Sequence, residues 1–116
     1  MPEAVGGNAT AGSPGWLLRA AVASCDATLL TMRAARLGLT LESVEVRVEA
    51  LSDGRGMFLD EGVSPGSTQM RICFKIKAPR VSADEIQDLV QWVSEHAPVG
   101  TDIAKAVEVQ VVIENQ

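Results

Sequence analysis

The stretch PGWLLRAAVASCDATLLTMRAARL, residues 14–37, decides the fold. Ser13 precedes it and can cap a helix, and Pro14 suits the first helical position, where its missing N–H costs nothing. The spacing predicts a helix from about Gly15 to Leu37, stopped at Gly38, which can take the left-handed C-terminal conformation. At about 1.5 Å per residue it is roughly 35 Å long, the span of a small domain. Between Leu17 and Met32, Leu17, Leu18, Val22, Leu29, Leu30 and four alanines leave no polar stripe wide enough to face water. Such a helix has to be buried on most sides, and one small sheet covers only one of them. Ala20, Ala21, Ala23, Ser24 and Ala27 let another helix approach closely, so a second subunit is expected to supply the remaining cover.

Two period-two segments follow. In Glu42–Ala50, Val44, Val46, Val48 and Ala50 alternate with Glu45, Arg47 and Glu49; in Gln69–Lys77, Met70, Ile72, Phe74 and Ile76 alternate with Arg71, Cys73, Lys75 and Lys77. Each predicts a strand with one core face and one wet face. Antiparallel pairing would set Glu45 and Glu49 against Arg71 and Lys75. The loop between them, about 52–67, is long for a hairpin. Ser82-Ala83-Asp84-Glu85 is a capping box. Ile86, Leu89, Val90 and Val93 then mark an amphipathic helix ending near His96, which Ala97–Gly100 breaks. A short helical turn over Thr101–Lys105 and a last strand, with Val107, Val109, Val111 and Ile113 inward, complete the pattern. The expectation is one α+β domain over residues 1–116, in the order α-β-β-α-α-β, entered through a coil over 1–14.

Composition narrows the function. The 116 residues carry 15 acidic and 10 basic side chains, a net charge of −5. Nucleic-acid binding, which needs clustered Lys and Arg, is therefore not expected. Arg19 and Asp26 interrupt the most apolar stretch, which is too short to cross a bilayer. Residues 1–15 lack a basic start and an apolar run, so a cytoplasmic, reducing location with free thiols is expected. Two cysteines and a single histidine exclude a disulfide scaffold and a Cys- or His-rich zinc site. No metal or cofactor is implied, and neither a P-loop, a G-x-G-x-x-G after a strand nor a G-x-S-x-G is found.

The candidate chemistry rests on few residues. Cys25 lies near the middle of the long helix, with Ala21, Val22, Thr28 and Leu29 one turn away. It is either a small core hydrophobe or a reactive thiol whose activating charge comes from elsewhere in the fold or from a partner chain. Cys73 shares its strand face with Arg71, Lys75 and Lys77, cations of the kind that favour a thiolate; the plain alternative is a tolerated residue on a wet face. His96 suits the negative end of a helix dipole. Asp53, Asp60 and Glu61 do not have calcium-loop spacing. Trp92 flanks its helix's apolar stripe and reads as packing.

In order along the chain, Gly6-Gly7, Ser13-Pro14, Leu17-Leu18, Ala20-Ala21 and Ala23-Ser24-Cys25 resemble the Gly-Gly, Pro and small-residue-Cys helix of the OsmC/Ohr family of thiol peroxidases. Asp53-Gly54-Arg55-Gly56 and His96-Ala97-Pro98-Val99 resemble two further family segments, so the likeness covers nearly the whole chain. It implies an intertwined homodimer with two central helices side by side. It also implies a site in which Cys25 is the peroxidatic thiol, becoming a sulfenic acid on attack at a hydroperoxide, with Arg55 and His96 as possible supporting groups. The pattern departs from the family at three places. Ala97 stands where a second cysteine is usual; Gly15 follows Pro14 where Glu is frequent; and only five residues precede Gly6, where an N-terminal strand region would carry an arginine. A one-cysteine peroxidase served by an external thiol reductant is one expectation. The others are a non-catalytic dimer binding a small apolar ligand or a protein partner, and a structural dimerisation domain.

Overall fold

The structure is a computed structural model that describes residues 12–52, 62–63 and 65–114. Helix α1 runs over Pro14–Arg36. Ser13 caps it by accepting the Trp16 N–H at 3.2 Å, and Pro14 opens the first turn. Arg33 and Arg36 lie in the last turn, where positive charge complements the dipole. Gly38 follows with φ +73°, a conformation that costs glycine nothing.

Strands β1 (Ser43–Ser52) and β2 (Ser67–Lys77) form an antiparallel ribbon. Val44, Val46, Val48 and Ala50 stand opposite Ile76, Phe74, Ile72 and Met70, so the apolar alternations of both strands share one face. On the other face Glu45 pairs with Lys75, and Glu49 with Arg71, as the charge pattern predicts. An irregularity between Leu51 and Ser52 ends the regular ladder.

Helix α2 (Ala83–His96) starts with the capping box: Ser82 Oγ accepts from the Glu85 N–H and Glu85 Oε1 accepts from the Ser82 N–H, both at 3.1 Å. Ser82→Ala leaves the Glu85 N–H without its side-chain partner and is expected to lower stability by about 1 kcal/mol, read as a lower urea midpoint with an unchanged slope. Helix α3 (Pro98–Ala104) follows after one residue. The Ala97–Gly100 break is thus a single extended residue, Ala97, and α3 begins at Pro98 rather than Thr101, because proline fits a first helical turn.

Leu30 and Ala34 of α1 pack on Leu89 and Val93 of α2, and Val44, Phe74 and Ile76 of the ribbon close over them. Arg33 and Leu37 border Glu85 and Leu89, while Leu30 meets Val93, so α2 runs back along α1. The helices cover one face of the ribbon, giving the expected α+β architecture. In this single chain, however, α1 buries one stripe only: Val22, Asp26, Leu30 and Ala34. Trp16, Leu17, Leu18 and Met32 face outward, Met32 at 63% exposure.

Among the described residues the expected last strand does not form. Residues 107–114 have no ladder partner, and Val109, Val111 and Ile113 are 78%, 90% and 88% exposed. Alternation defines which face a strand would bury, but a strand needs a neighbour to hydrogen-bond with, and this copy of the ribbon does not reach it. Among the described residues no helix is long and apolar enough to cross a membrane.

Candidate functional site

Cys25 sits at the middle of α1, half-buried and free. Among the described residues no hydrogen bond or ion pair engages it. Cys25, Leu29, Met32 and Arg36 recur at i, i+4, i+7 and i+11 and so share one helix face. One turn beyond Cys25 on that face opens a groove of about 490 Å³, lined by Leu29, Met32, Arg33, Ala35, Arg36 and Trp92. Its floor is apolar and its rim carries two guanidinium groups.

Asp26, the next residue, points elsewhere. It lies on the buried stripe between Val22 and Leu30, is 3% exposed, and its Oδ1 has no hydrogen-bond partner. Burial pushes its carboxyl above the usual carboxylate range. The folded protein therefore holds this proton more tightly than the unfolded chain does. Its contribution to stability is fully present below the unfolded value of about 3.9 and is lost as pH rises through the higher folded value. Asp26→Asn removes the charge with little change of shape. At neutral pH it is expected to stabilise the fold by about 1 kcal/mol or more, with the gain shrinking as pH falls through the raised folded value and gone below about 4. Urea titrations of both proteins across that range check it.

Around Trp92 the aromatic and cationic groups converge. The Arg33 guanidinium lies 4.6 Å from the Trp92 ring centroid, a cation–π contact. The His96 ring stacks on Trp92 at 4.2 Å and 13° between planes. His96 Nδ1 donates to the Trp92 carbonyl at 2.7 Å, so that nitrogen carries the proton. His96 is thus engaged by its own helix, and no hydrogen bond links it to Cys25. Ala97, at the α2–α3 junction, is 2% exposed, and its methyl group offers no thiol to a sulfenic acid. Arg55 and the carboxylates Asp53, Asp60 and Glu61 lie outside the described residues, as does Gly6-Gly7.

Cys73 occupies a more charged setting than the strand pattern alone indicates. The ladder places Arg47 directly opposite it. Glu49 bridges Arg71 (Nη2–Oε2, 2.8 Å) and Arg47 (Nε–Oε1, 2.9 Å). Arg71 first, and Arg47 second, hold Glu49 below the usual carboxylate range. These pairs are exposed and salt-screened, and they order the surface more than they stabilise the fold. Arg47 was legible from antiparallel pairing, since residues opposite each other share a face. For Asp26 the available signal is its spacing, four residues from both Val22 and Leu30 on the buried stripe. Among the described residues no group of three or more His, Cys, Asp or Glu side chains could hold a metal.

Residues 6–112 match the family model for OsmC-like proteins. No curated protein sequence matches the chain significantly. Among solved structures, an OsmC-like protein from Mycoplasma pneumoniae superposes with a TM-score of 0.74 at 17% identity, over 90% of this chain and 68% of that one. An organic hydroperoxide resistance protein OsmC from Legionella pneumophila gives 0.62 at 21% identity, over 89% and 69%. The organic hydroperoxide resistance protein OhrB of Bacillus subtilis gives 0.55 at 20% identity, over 87% and 69%. These likenesses show a shared fold.

Proposed function

The chain belongs to the OsmC-like protein family, and from that premise we propose that it is a homodimeric, thiol-dependent peroxidase that reduces organic hydroperoxides at Cys25. The observation that carries the reading is the position of Cys25: a free, half-buried thiol at the centre of α1, on the face that continues into an apolar groove. Two structural relatives are named for organic hydroperoxide resistance, which supports that substrate class here.

The chemistry needs no cofactor. The Cys25 thiolate attacks the terminal peroxide oxygen, the O–O bond breaks, and the alkoxide leaves as an alcohol after taking a proton. Cys25 has then become a sulfenic acid. With Ala97 unable to condense with it, an external thiol forms a mixed disulfide with Cys25 and releases water. A second thiol then restores the Cys25 thiol and departs in a disulfide. A reducing, cytoplasmic setting suits the two free thiols.

The exposed apolar faces of α1 support the homodimer. Trp16, Leu17 and Met32 are each more than half exposed, more than a helix of this length leaves to water when its fold is complete. A second reading, a non-catalytic dimer of the same fold that binds a small apolar ligand or a protein partner, draws on the alanine at position 97. Exposure to an organic hydroperoxide, followed by sulfenic-acid trapping and peptide mass spectrometry, separates the two. The peroxidase reading expects stoichiometric trapping at Cys25 within one substrate equivalent. Trapping no faster than for a free cysteine favours the second.

A further inference from the structure

The groove beside Trp92 carries charge of one sign. Leu29, Met32 and Trp92 give it an apolar lining, and Arg33 and Arg36 are the charged residues on it. Its volume of about 490 Å³ falls in the ~300–1,000 Å³ range of small-molecule sites. Glu85 and Asp88 line the neighbouring cleft instead, which shares Arg33 and Trp92 with the groove. In a chain of net charge −5, this is a local reversal of sign.

The fold does not neutralise either arginine. Among the described residues the ion pairs join Arg47 and Arg71 to Glu49 and Lys77 to Glu42, and none reaches Arg33 or Arg36. Arg33 Nε is buried and has no hydrogen-bond partner, an arrangement that costs free energy until a counter-charge arrives. Arg33 is nevertheless held in place, 4.6 Å from the Trp92 ring that His96 stacks on. A side chain fixed in advance loses little freedom when a ligand binds. The C-terminal end of α1 contributes about half a negative charge, which offsets two guanidinium groups only in part. Along the helix, Leu29 and Arg36 are separated by a rise of about 10 Å. An apolar chain lying on Leu29 and Met32 therefore brings an acid group to Arg36, and it covers Met32, which is 63% exposed.

A second copy of the chain is the poorer occupant. A two-fold contact through the groove would set the arginine pair against its own equivalent, and like charges at short range repel.

We propose that this groove binds a small amphipathic carboxylic acid, its apolar body on Leu29, Met32 and Trp92 and its carboxylate between Arg33 and Arg36. Guanidinium groups match the two oxygens of a carboxylate in geometry as well as charge. The ligand needs no peroxide group, so the site is separate from the reaction proposed at Cys25.

The test is titration of the full chain with octanoate, followed by NMR shifts of the Leu29 and Met32 methyl groups and the Trp92 indole N–H, with octanol as the neutral counterpart. Saturable shifts are expected at these residues, and octanol is expected to bind about ten-fold more weakly or worse. Added salt weakens octanoate and leaves octanol unchanged. Arg36 is exposed, so Arg36→Gln is expected to keep the wild-type circular dichroism while lowering octanoate to the affinity of octanol. Equal binding of the two ligands, or an Arg36→Gln protein that binds octanoate as tightly as the wild type, overturns the acid site. The absence of saturable shifts in the millimolar range overturns it too, as do shifts confined to the Trp16 end of α1. Shifts that appear only as sedimentation shows copies separating also overturn it, because a second copy is then the occupant of the groove. No hydroperoxide is present in these titrations, so each outcome leaves the peroxidase reading to its own trapping experiment.

Discussion

Serine in place of Cys25 is expected to abolish organic hydroperoxide consumption, lowering the rate by about three orders of magnitude or more, the scale on which enzymes lose activity with their nucleophile. The two side chains differ by one atom, so a half-buried position on α1 accepts the change without repacking. The chemistry does not survive it. A serine hydroxyl stays protonated in any ordinary protein environment, and its oxygen cannot take up a peroxide oxygen as sulfur does. Cys73→Ser is the control and is expected to leave the rate within about two-fold, the effect of a substitution away from the reacting atoms. The assay uses an organic hydroperoxide with a dithiol reductant. A rate unchanged by Cys25→Ser removes the peroxidase reading, and a rate lost only with Cys73→Ser moves the chemistry to the strand face between Arg47 and Arg71.

The largest effect on stability is expected at Leu30. Its side chain is fully buried and lies where α1, α2 and the ribbon meet, against Ala34, Leu89 and Val93. Leu30→Ala deletes three carbons and leaves a void that neighbouring alanines cannot fill. The cost is roughly 2–5 kcal/mol, a large part of the 5–15 kcal/mol that typically separates folded from unfolded domains. Thermal unfolding is expected to fall by roughly 10 °C or more. Leu30→Met, which nearly conserves volume, is expected to cost less than about 1.5 kcal/mol. Equal losses for the two variants would mean that packing volume at this junction is not what the fold depends on.

The elements that carry their own local signals were legible in the sequence. Helix α1 is announced by Ser13-Pro14 and closed by Gly38, α2 by its capping box, and β1 and β2 by alternation that also sets their pairing and register. What escaped depends on relations between elements. Residues 107–111 alternate as regularly as β1, yet whether the segment becomes a strand depends on a sheet edge to pair with, which alternation alone does not supply. Pro98 was read as a breaker because a proline ends one helix in the same position in which it can begin another. Cys25 was legible as a candidate from its place on α1. Arg55, proposed from family likeness alone, has no described geometry to weigh, and His96 is held by Trp92 rather than by the thiol. Asp26 escaped because attention to apolar periodicity passes over a polar residue sitting at an apolar position.

The stack on Trp92 makes the molecule its own reporter. The chain has two indoles and no tyrosine. Trp16 stands at the solvent-facing start of α1, and Trp92 is clasped by Arg33 of one helix and His96 of its own. Their light emission therefore divides the molecule by location. A change at Trp92 reports the α1–α2 contact and the protonation of an imidazole laid against the ring, whereas a change at Trp16 reports what covers the outer face of α1. With Trp16→Phe and Trp92→Phe as single-probe variants, ordinary fluorescence can watch separation of the helices and arrival of a second copy as two distinct optical events.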